Sequence, residues 1–208
     1  MKIYLVRNLE TLSNAYNFLN KKDSDELLRE KEILSVTGEN HARELSKYSL
    51  FKNVDSIYSS NYISTLSTAK YIAKENNIKI NVSFNFNDRR LGATDDVDMD
   101  LFDYKTYHNF DYKLRLGESI NDIKKRASLE LKNILKQDYT KVVIVSHEVV
   151  LISLLLNWCE LGYNCDNDII LTYKDKVVCD TNINPGDVYE LYFDGTTLKS
   201  LEKINNLW

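Results

Sequence analysis

The clearest pattern in the chain is a pair of apolar runs, Ile3–Arg7 and Val142–Ser146, each ending on a polar residue. Runs without polar alternation are typical of parallel strands that are covered on both faces of a sheet. Three further segments predict strands: Ser56–Ser59, Lys79–Val82 and Val188–Phe193. We therefore expect a sheet whose central strands are buried.

Helical patterns separate these strands. Apolar residues recur at helical spacing in three segments: 40–48, 62–75 and 119–135. Ser119 is the expected N-cap of the third segment, and Asp122 completes a weaker form of the capping box. Strands that alternate with helices predict an α/β fold, a three-layer α/β/α sandwich with a mostly parallel central sheet. Ligands of such sheets bind beyond the carboxyl ends of the strands, which is where Arg7 and His147 lie.

The chain reads as a single domain, 1–208, because it has one proline, six glycines and neither a linker nor a repeat. Segment 94–117 differs from the rest: it opens with an acidic stretch and continues with several tyrosines and phenylalanines. We interpret it as a cap-like excursion over the mouth of the sheet. Its aromatic residues either cover the core or shape a lid over a ligand pocket, and both interpretations remain open.

Composition narrows the function further. The net charge is −4 and no basic block stands out, which argues against nucleic acid as a partner. The longest apolar segment, Val149–Leu156, is far shorter than the roughly 20 residues that span a bilayer, so no membrane partner is expected. The chain enters a strand without an export signal, and its three cysteines lack C-x-x-C spacing. We expect a cytoplasmic protein with reduced thiols.

The first strand leads into the sequence KIYLVRNLETLSN. This resembles the start of the histidine phosphatase (phosphoglycerate mutase-like) superfamily, where an apolar strand precedes R-H-G-E-T-x-x-N. The matching positions are Arg7, Glu10, Thr11 and Asn14. Asn8 and Leu9 depart from the pattern. The resemblance implies that position 8 should hold the histidine that becomes phosphorylated, and a carboxamide cannot replace it because its nitrogen lone pair is delocalised into the carbonyl group.

Five further stretches resemble the superfamily in the same order along the chain. They are Leu34–Ser46, 57–73, Asn87–Gly92, Gly117–Arg126 and 142–150. Because six motifs follow one another with plausible spacing, the resemblance extends over nearly the whole chain. It implies a phosphoglycerate mutase-like fold, and an inherited activity of phosphomonoester hydrolysis or phosphoglycerate mutation. It also implies no cofactor and no metal, and no Cys/His spacing in the chain suggests a metal site.

The resemblance also assigns roles to individual residues. In the family, one imidazole attacks phosphorus, two arginines and a second imidazole hold the phosphoryl oxygens, and an acid protonates the leaving group. By position, this chain keeps Arg7 and Asn14 as phosphate-binding residues, Asp88 as the acid and His147 as the second imidazole.

Three positions are altered. Asn8 stands at the nucleophile position, Ser64 at the position of the second phosphate-binding arginine, and Glu148 at a glycine position beside His147. If Glu148 points inward, losing one cation and gaining one anion changes the local charge by −2. Because one unit charge at about 4 Å is worth about 4 kcal/mol at an effective dielectric near 20, phosphate affinity should fall by several orders of magnitude. We further predict an ion pair between Arg7 and Glu148.

Structural interpretations compete with these roles. Asn14 suits a local cap, Asp88 a surface ion pair with Arg89 or Arg90, and Glu148 an outward-facing acid at a helix N-terminus. His147 would equally suit a buried, hydrogen-bonded histidine.

The sequence therefore favours a degenerate histidine phosphatase, a pseudo-phosphatase that acts by binding a ligand or a partner. One alternative is a weak phosphomonoester phosphatase that uses Arg7, Asp88 and His147. A second alternative is an interaction protein whose pocket is closed. The expected binding partner is a small phosphorylated or other small-molecule ligand. The sequence identifies no protein partner.

Overall fold

The computed structural model describes residues 1–16, 26–94 and 97–205. These residues form the strands β1 (Lys2–Arg7), β2 (Ser56–Ser59), β3 (Ile80–Val82), β4 (Lys141–Ser146), β5 (Glu160–Tyr163), β6 (Ile169–Tyr173), β7 (Lys176–Asp180), β8 (Val188–Asp194) and β9 (Thr197–Ile204). Six of them make a central sheet in the order β3-β2-β4-β1-β8-β9. Strands β3, β2, β4 and β1 are parallel, whereas β8 and β9 are antiparallel to their neighbours. The prediction of a mostly parallel central sheet is confirmed.

Helices cover both faces of this sheet. The helices of the described residues are α1 (Leu12–Tyr16), α2 (Glu26–Glu30), α3 (Val36–Leu45), α4 (Ile63–Asn76), α5 (Met99–His108), α6 (Ile120–Ile134) and α7 (Glu148–Leu155). Alternate residues of β1 divide the core: Ile3 and Leu5 join the cluster of α6 and α7, whereas Tyr4 and Val6 join that of α3 and α4. Because every second side chain of a strand faces the same layer, one apolar run supplies both cores. This is the three-layer arrangement that the sequence predicts.

Local capping fixes the helix boundaries. Ser119 caps α6, and the reciprocal bonds with Asp122 form the predicted capping box. Helix α3 begins at Val36, four residues before the predicted start. Its first turn contains Gly38, because a Cβ atom there would lie 2.1 Å from the carbonyl oxygen of Glu10. Gly38 therefore allows the Glu10 backbone to lie directly against the first turn of α3.

A second sheet was absent from the sequence-based expectations. Strands β5, β6 and β7 form an antiparallel three-stranded sheet after α7. Its buried residues Ile169, Leu171 and Cys179 belong to the same cluster as α6 and α7. This sheet therefore enlarges the core on one face of the molecule and lies outside the central sheet.

Segment 94–117 contains α5, whose N-cap Asp98 accepts hydrogen bonds from the backbone of Asp100 and Leu101. Residues 95 and 96 of the segment lie outside the described residues. Phe102 is buried, whereas Tyr104 is half exposed, so the aromatic residues of this segment do not share one environment. A cap function for the segment, and a single domain over 1–208, stay predictions. Among residues 1–16, 26–94 and 97–205, no helix has the length and apolar character needed to cross a bilayer.

Candidate active site

The site begins at the carboxyl ends of two neighbouring strands. Strands β1 and β4 are parallel, and Arg7 lies opposite Ser146 at the last position of their pairing. The backbone N–H of Asn8 donates to the carbonyl oxygen of Ser146 at 2.9 Å. Asn8 and His147 therefore leave the sheet side by side.

These residues open into a cavity of about 430 Å³. All seven positions that the sequence singles out line it: Arg7, Asn8, Asn14, Ser64, Asp88, His147 and Glu148. Phe102 and Asp103 of α5 complete one wall, so segment 94–117 does contribute to the pocket. The convergence of residues from four of the six motifs is the geometry that the resemblance implies.

Arg7 is engaged by a carboxylate of the protein itself. Its Nη2 lies 3.2 Å from Oε2 of Glu148, as predicted, and Nη1 donates to the carbonyl oxygen of Ile183. The other carboxylate oxygen of Glu148 accepts from the Ile183 N–H at 3.2 Å. Burial raises the pKa of Glu148, and Arg7 offsets part of this rise. Glu148 is also the first residue of α7. It therefore contacts Arg7 inside the cavity and lies at a helix N-terminus at the same time.

His147 is buried as a neutral imidazole. Its Nε2 lies 2.9 Å from the hydroxyl of Ser60, and the Tyr62 ring packs edge-on with centroids 4.7 Å apart. Burial lowers the pKa of His147 to about 4, although Asp88 acts in the opposite direction. The Nδ1 atom is 4.0 Å from Asp88, within ion-pair distance. Because the imidazole is uncharged at pH 7, that contact is not an ion pair there.

Asp88 is paired with an arginine that the sequence did not indicate. Arg29 of α2 places Nη2 on the Asp88 carboxylate, and its Nη1 donates to the carbonyl oxygen of Arg89 at 3.1 Å. The other Asp88 oxygen accepts from the Arg89 N–H at 2.8 Å. Burial alone would raise the pKa of Asp88, but Arg29 and its other partners bring it below the usual value. Asp88 is therefore ionised at neutral pH.

The expected alternative of a surface pair with Arg89 or Arg90 is wrong. Arg89 is buried, and its guanidinium donates to the carbonyl oxygen of Glu118 at 2.8 Å and to the Thr106 hydroxyl at 2.9 Å. Arg90 extends towards Glu118 at 3.9 Å. The guanidinium groups of Arg89 and Arg90 therefore contact Glu118 and Thr106, and neither forms the ion pair with Asp88.

Arg29 also changes the charge of the cavity. Among the described residues, its lining holds three arginines (Arg7, Arg29, Arg89) and four carboxylates (Glu32, Asp88, Asp103, Glu148), a formal balance of −1. Arg29 is a cation that the motifs do not include, so the change of −2 at Ser64 and Glu148 does not by itself give the charge of the cavity. Nothing in the local sequence of α2 marks Arg29 as a cavity residue, because its contact with Asp88 spans 59 positions.

The remaining predicted residues have mixed roles. The amide of Asn8 donates to the carbonyl oxygen of Leu9 at 3.1 Å, and Asn8 is buried. Ser64 is buried at the start of α4. The Asn14 side-chain oxygen accepts from the N–H and the hydroxyl of Thr11 at 3.1 and 3.0 Å, so Asn14 caps its own loop while it lines the cavity.

The stretch Gly117–Arg126, one of the six motifs, supports the loop of Asp88. Arg126 forms two bonds with the Glu118 carboxylate, at 3.0 and 3.1 Å. It also donates to the carbonyl oxygens of Asn85 at 2.7 Å and Asp88 at 3.1 Å. This charge-assisted network fixes the backbone that carries Asp88. Within the described ranges, no cluster of His, Cys, Asp and Glu is arranged to hold a metal ion.

Known structures share this architecture. The alignment with YhfR of Bacillus stearothermophilus has 22% identity and a TM-score of 0.68, and covers 95% of this chain and 94% of that one. A putative alpha-ribazole-5'-P phosphatase of Escherichia coli aligns with 17% identity and a TM-score of 0.69, over 100% and 97% of the two chains. A mycobacterial glucosyl-3-phosphoglycerate phosphatase in complex with VO3 aligns with 14% identity and a TM-score of 0.69, over 97% and 96%.

Sequence comparison adds the family. No curated protein is significantly similar in sequence to this chain. The family model of the histidine phosphatase superfamily (branch 1) matches residues 3–174. This range extends from the first strand to beyond the last motif, 142–150. The chain therefore belongs to the histidine phosphatase superfamily.

Proposed function

We propose that this protein is a catalytically degenerate histidine phosphatase that binds a small ligand in its inherited cavity and does not transfer phosphate. The observation that carries the proposal is Asn8, which lies beside His147 at the end of β1, where the family pattern places the nucleophile. Nucleophilic catalysis needs an available lone pair. The Asn8 amide nitrogen has none, and it donates to Leu9 instead.

The acid position supports the same proposal. A general acid must hold a proton at the working pH. The pKa of Asp88 is below its usual value because Arg29, His147, the Arg89 N–H and Arg126 together outweigh the effect of burial. Asp88 therefore has no proton to give to a leaving group near neutrality.

Electrostatics make a phosphate dianion an unfavourable ligand. Two of the three cavity arginines, Arg7 and Arg29, are each neutralised by a carboxylate. A second cavity of about 470 Å³ shares Asp103, Val149 and Glu148 with the first, and five carboxylates but no lysine or arginine line its described part. At a distance of about 4 Å and an effective dielectric near 20, one unit of uncompensated negative charge opposes an anionic group by about 4 kcal/mol. A neutral or cationic small molecule meets no such cost.

A weak phosphomonoesterase is the second candidate, and His147 favours it. With a pKa of about 4, the imidazole keeps a free lone pair at pH 7, and it faces the same cavity as Arg7. The hydroxyl of Ser60 is hydrogen-bonded to Nε2 of His147 and so orients the imidazole ring. This contact does not activate the imidazole as a nucleophile. The third reading, an interaction protein with a closed pocket, is disfavoured by the open volume of about 430 Å³.

The test is turnover of an aryl phosphate by four proteins: the natural chain, Asn8→His, Ser64→Arg and the double variant. We expect the natural chain to match a protein-free blank. Asn8→His should restore little activity, and the double variant should exceed the product of the single effects, because nucleophile and arginine act on one transition state. Asn8→Gln is the matched control, since it keeps a carboxamide at the same position.

Turnover by the natural chain that disappears in His147→Gln would support the weak phosphatase instead. Equal rates for Asn8→His and the double variant would refute the coupling between positions 8 and 64.

A further inference from the structure

The cavity contains a guanidinium that the family pattern does not supply. Arg29 belongs to α2, which lies outside the motifs of the resemblance, yet its side chain lines the same cavity as Arg7, Asn8 and His147. Its side chain is 21% exposed, so the guanidinium lies inside the pocket and not on the open surface. Ser64, at the position of the family's second arginine, lines the cavity too.

The contacts of Arg29 leave its fork directed at an anion position. Nη1 is fixed by the carbonyl oxygen of Arg89 at 3.1 Å, and Nη2 holds the carboxylate of Asp88. An arginine fork binds carboxylate and phosphate with the same geometry, which a lysine cannot reproduce. In the described part of the cavity, Asp88 is thus the anion bound to Nη2 of Arg29, while the Arg89 carbonyl oxygen is bound to Nη1.

We propose that Arg29 is the second anion-binding arginine of this cavity, in place of the one absent at Ser64, and that Asp88 blocks it by acting as a built-in anion. This inference rests on the proposed function, because it explains which ligands the degenerate cavity refuses. Arg7 has the same arrangement with Glu148, at 3.2 Å. Arg7 and Arg29 are therefore both occupied by carboxylates of the chain.

The ion pairs of Arg7 with Glu148 and of Arg29 with Asp88 determine which ligands the cavity accepts. A phosphate monoester must displace two carboxylates that are held by hydrogen bonds, and each displaced carboxylate stays in the cavity as a repelling charge. A ligand with hydroxyl, amide or ammonium groups can instead use the carboxylates as acceptors. Removing one of the carboxylates should therefore convert the cavity into an anion site.

The experiment measures binding of inorganic phosphate by titration calorimetry at pH 7.5. Asp88→Asn should bind phosphate about tenfold or more tightly than the natural chain, because it removes a negative charge and makes Nη2 of Arg29 available to an anion. Arg29→Gln/Asp88→Asn should lose this gain, and Arg29→Lys/Asp88→Asn should recover only part of it. Glu44→Gln is the matched control, since it removes a carboxylate from an exposed pair with Lys47 on a different surface.

Equal phosphate affinity of Asp88→Asn and Arg29→Gln/Asp88→Asn would overturn the proposal, because the gain would then be a charge effect without Arg29. An unchanged affinity in Asp88→Asn would overturn it as well. If Asp88→Asn does not fold, as judged by thermal unfolding, Asp88→Ser takes its place. In the folded variant, the guanidinium 15N resonances of Arg29 should shift on addition of phosphate.

Failure of this inference is distinguishable from failure of the proposed function. The proposed function fails if the natural chain turns over aryl phosphates, a readout that does not depend on phosphate affinity in Asp88→Asn. Conversely, if phosphate binding does not depend on Arg29, this inference fails. The proposed function still stands in that case, because it rests on the absence of a nucleophile at Asn8.

Discussion

His147 is buried as a neutral imidazole, so acidification should destabilise the protein through this residue. Burial holds the pKa of His147 near 4 in the folded chain, whereas an unfolded histidine has a pKa of about 6.5. The folded-state value is lowered, so the unfolded chain binds the proton first as the pH falls. The stability that His147 contributes is complete above pH 6.5 and is lost between pH 6.5 and 4.

The size of the effect follows from the two pKa values. Each unit of difference corresponds to about 1.4 kcal/mol, so the full loss below pH 4 is about 3 kcal/mol. At pH 5 the unfolded imidazole is almost fully protonated and the folded one is mostly neutral, which gives a loss of about 2 kcal/mol relative to pH 7.5. This is a large share of the 5–15 kcal/mol by which domains are typically stable.

The assay is urea unfolding of the natural chain and His147→Gln at several pH values between 7.5 and 5. Glutamine keeps a side chain that can bond the Ser60 hydroxyl, but it does not titrate. We expect the variant to be less stable at pH 7.5, and the gap to narrow by about 2 kcal/mol at pH 5. His41→Gln, at an exposed histidine, is the control. Parallel pH profiles for the natural chain and His147→Gln would refute the reasoning.

Three further substitutions test other parts of the account. Ser119→Ala removes the cap of α6 and should lower the free energy of unfolding by about 1 kcal/mol, which urea titration would detect and an unchanged midpoint would contradict. Gly38→Ala forces a Cβ against Glu10 and should cost about 1–3 kcal/mol, whereas Gly162→Ala, with its nearest neighbour at 3.9 Å, should cost far less. Glu148→Gln frees Arg7 and should raise phosphate affinity in a calorimetric titration, and a lower affinity would show that Glu148 does not compete with anions.

Strong local patterns predicted the central sheet and α6. The runs at β1 and β4 are apolar at every internal position because both faces of the sheet are covered, so no other element fits them. Helix α6 combines a periodic apolar stripe with its capping box. In these segments local preference and tertiary packing agree, which is why the sequence suffices.

The second sheet escaped prediction because its turn signal is hidden. Strands β6 and β7 pair Tyr173 with Lys176, so Lys174 and Asp175 alone form the turn. Both have positive φ values, 48° and 64°, a conformation that hairpins usually assign to Asn-Gly or Gly-Gly. Without a glycine, the sequence offers no sign that the chain reverses there.

The candidate site was predictable where it lies at strand ends and unpredictable where distant segments meet. Arg7 and His147 follow apolar strands, so their proximity follows from parallel pairing. Arg29 does not lie at the end of a strand, so no strand pairing predicts its position. Only the folded chain brings α2 to Asp88. The resulting charge of the cavity therefore could not be counted from the motifs alone.

Loss of the phosphorylated intermediate is the central claim, and mass spectrometry of the intact protein tests it most directly. The natural chain and Asn8→His would be incubated with an aryl phosphate and analysed without exposure to acid, which hydrolyses phosphohistidine. The account predicts no phosphoryl adduct on the natural chain, because Asn8 has no nucleophilic lone pair and His147 is held by Ser60. An acid-labile adduct on the natural chain, and above all one mapped to His147, would contradict it.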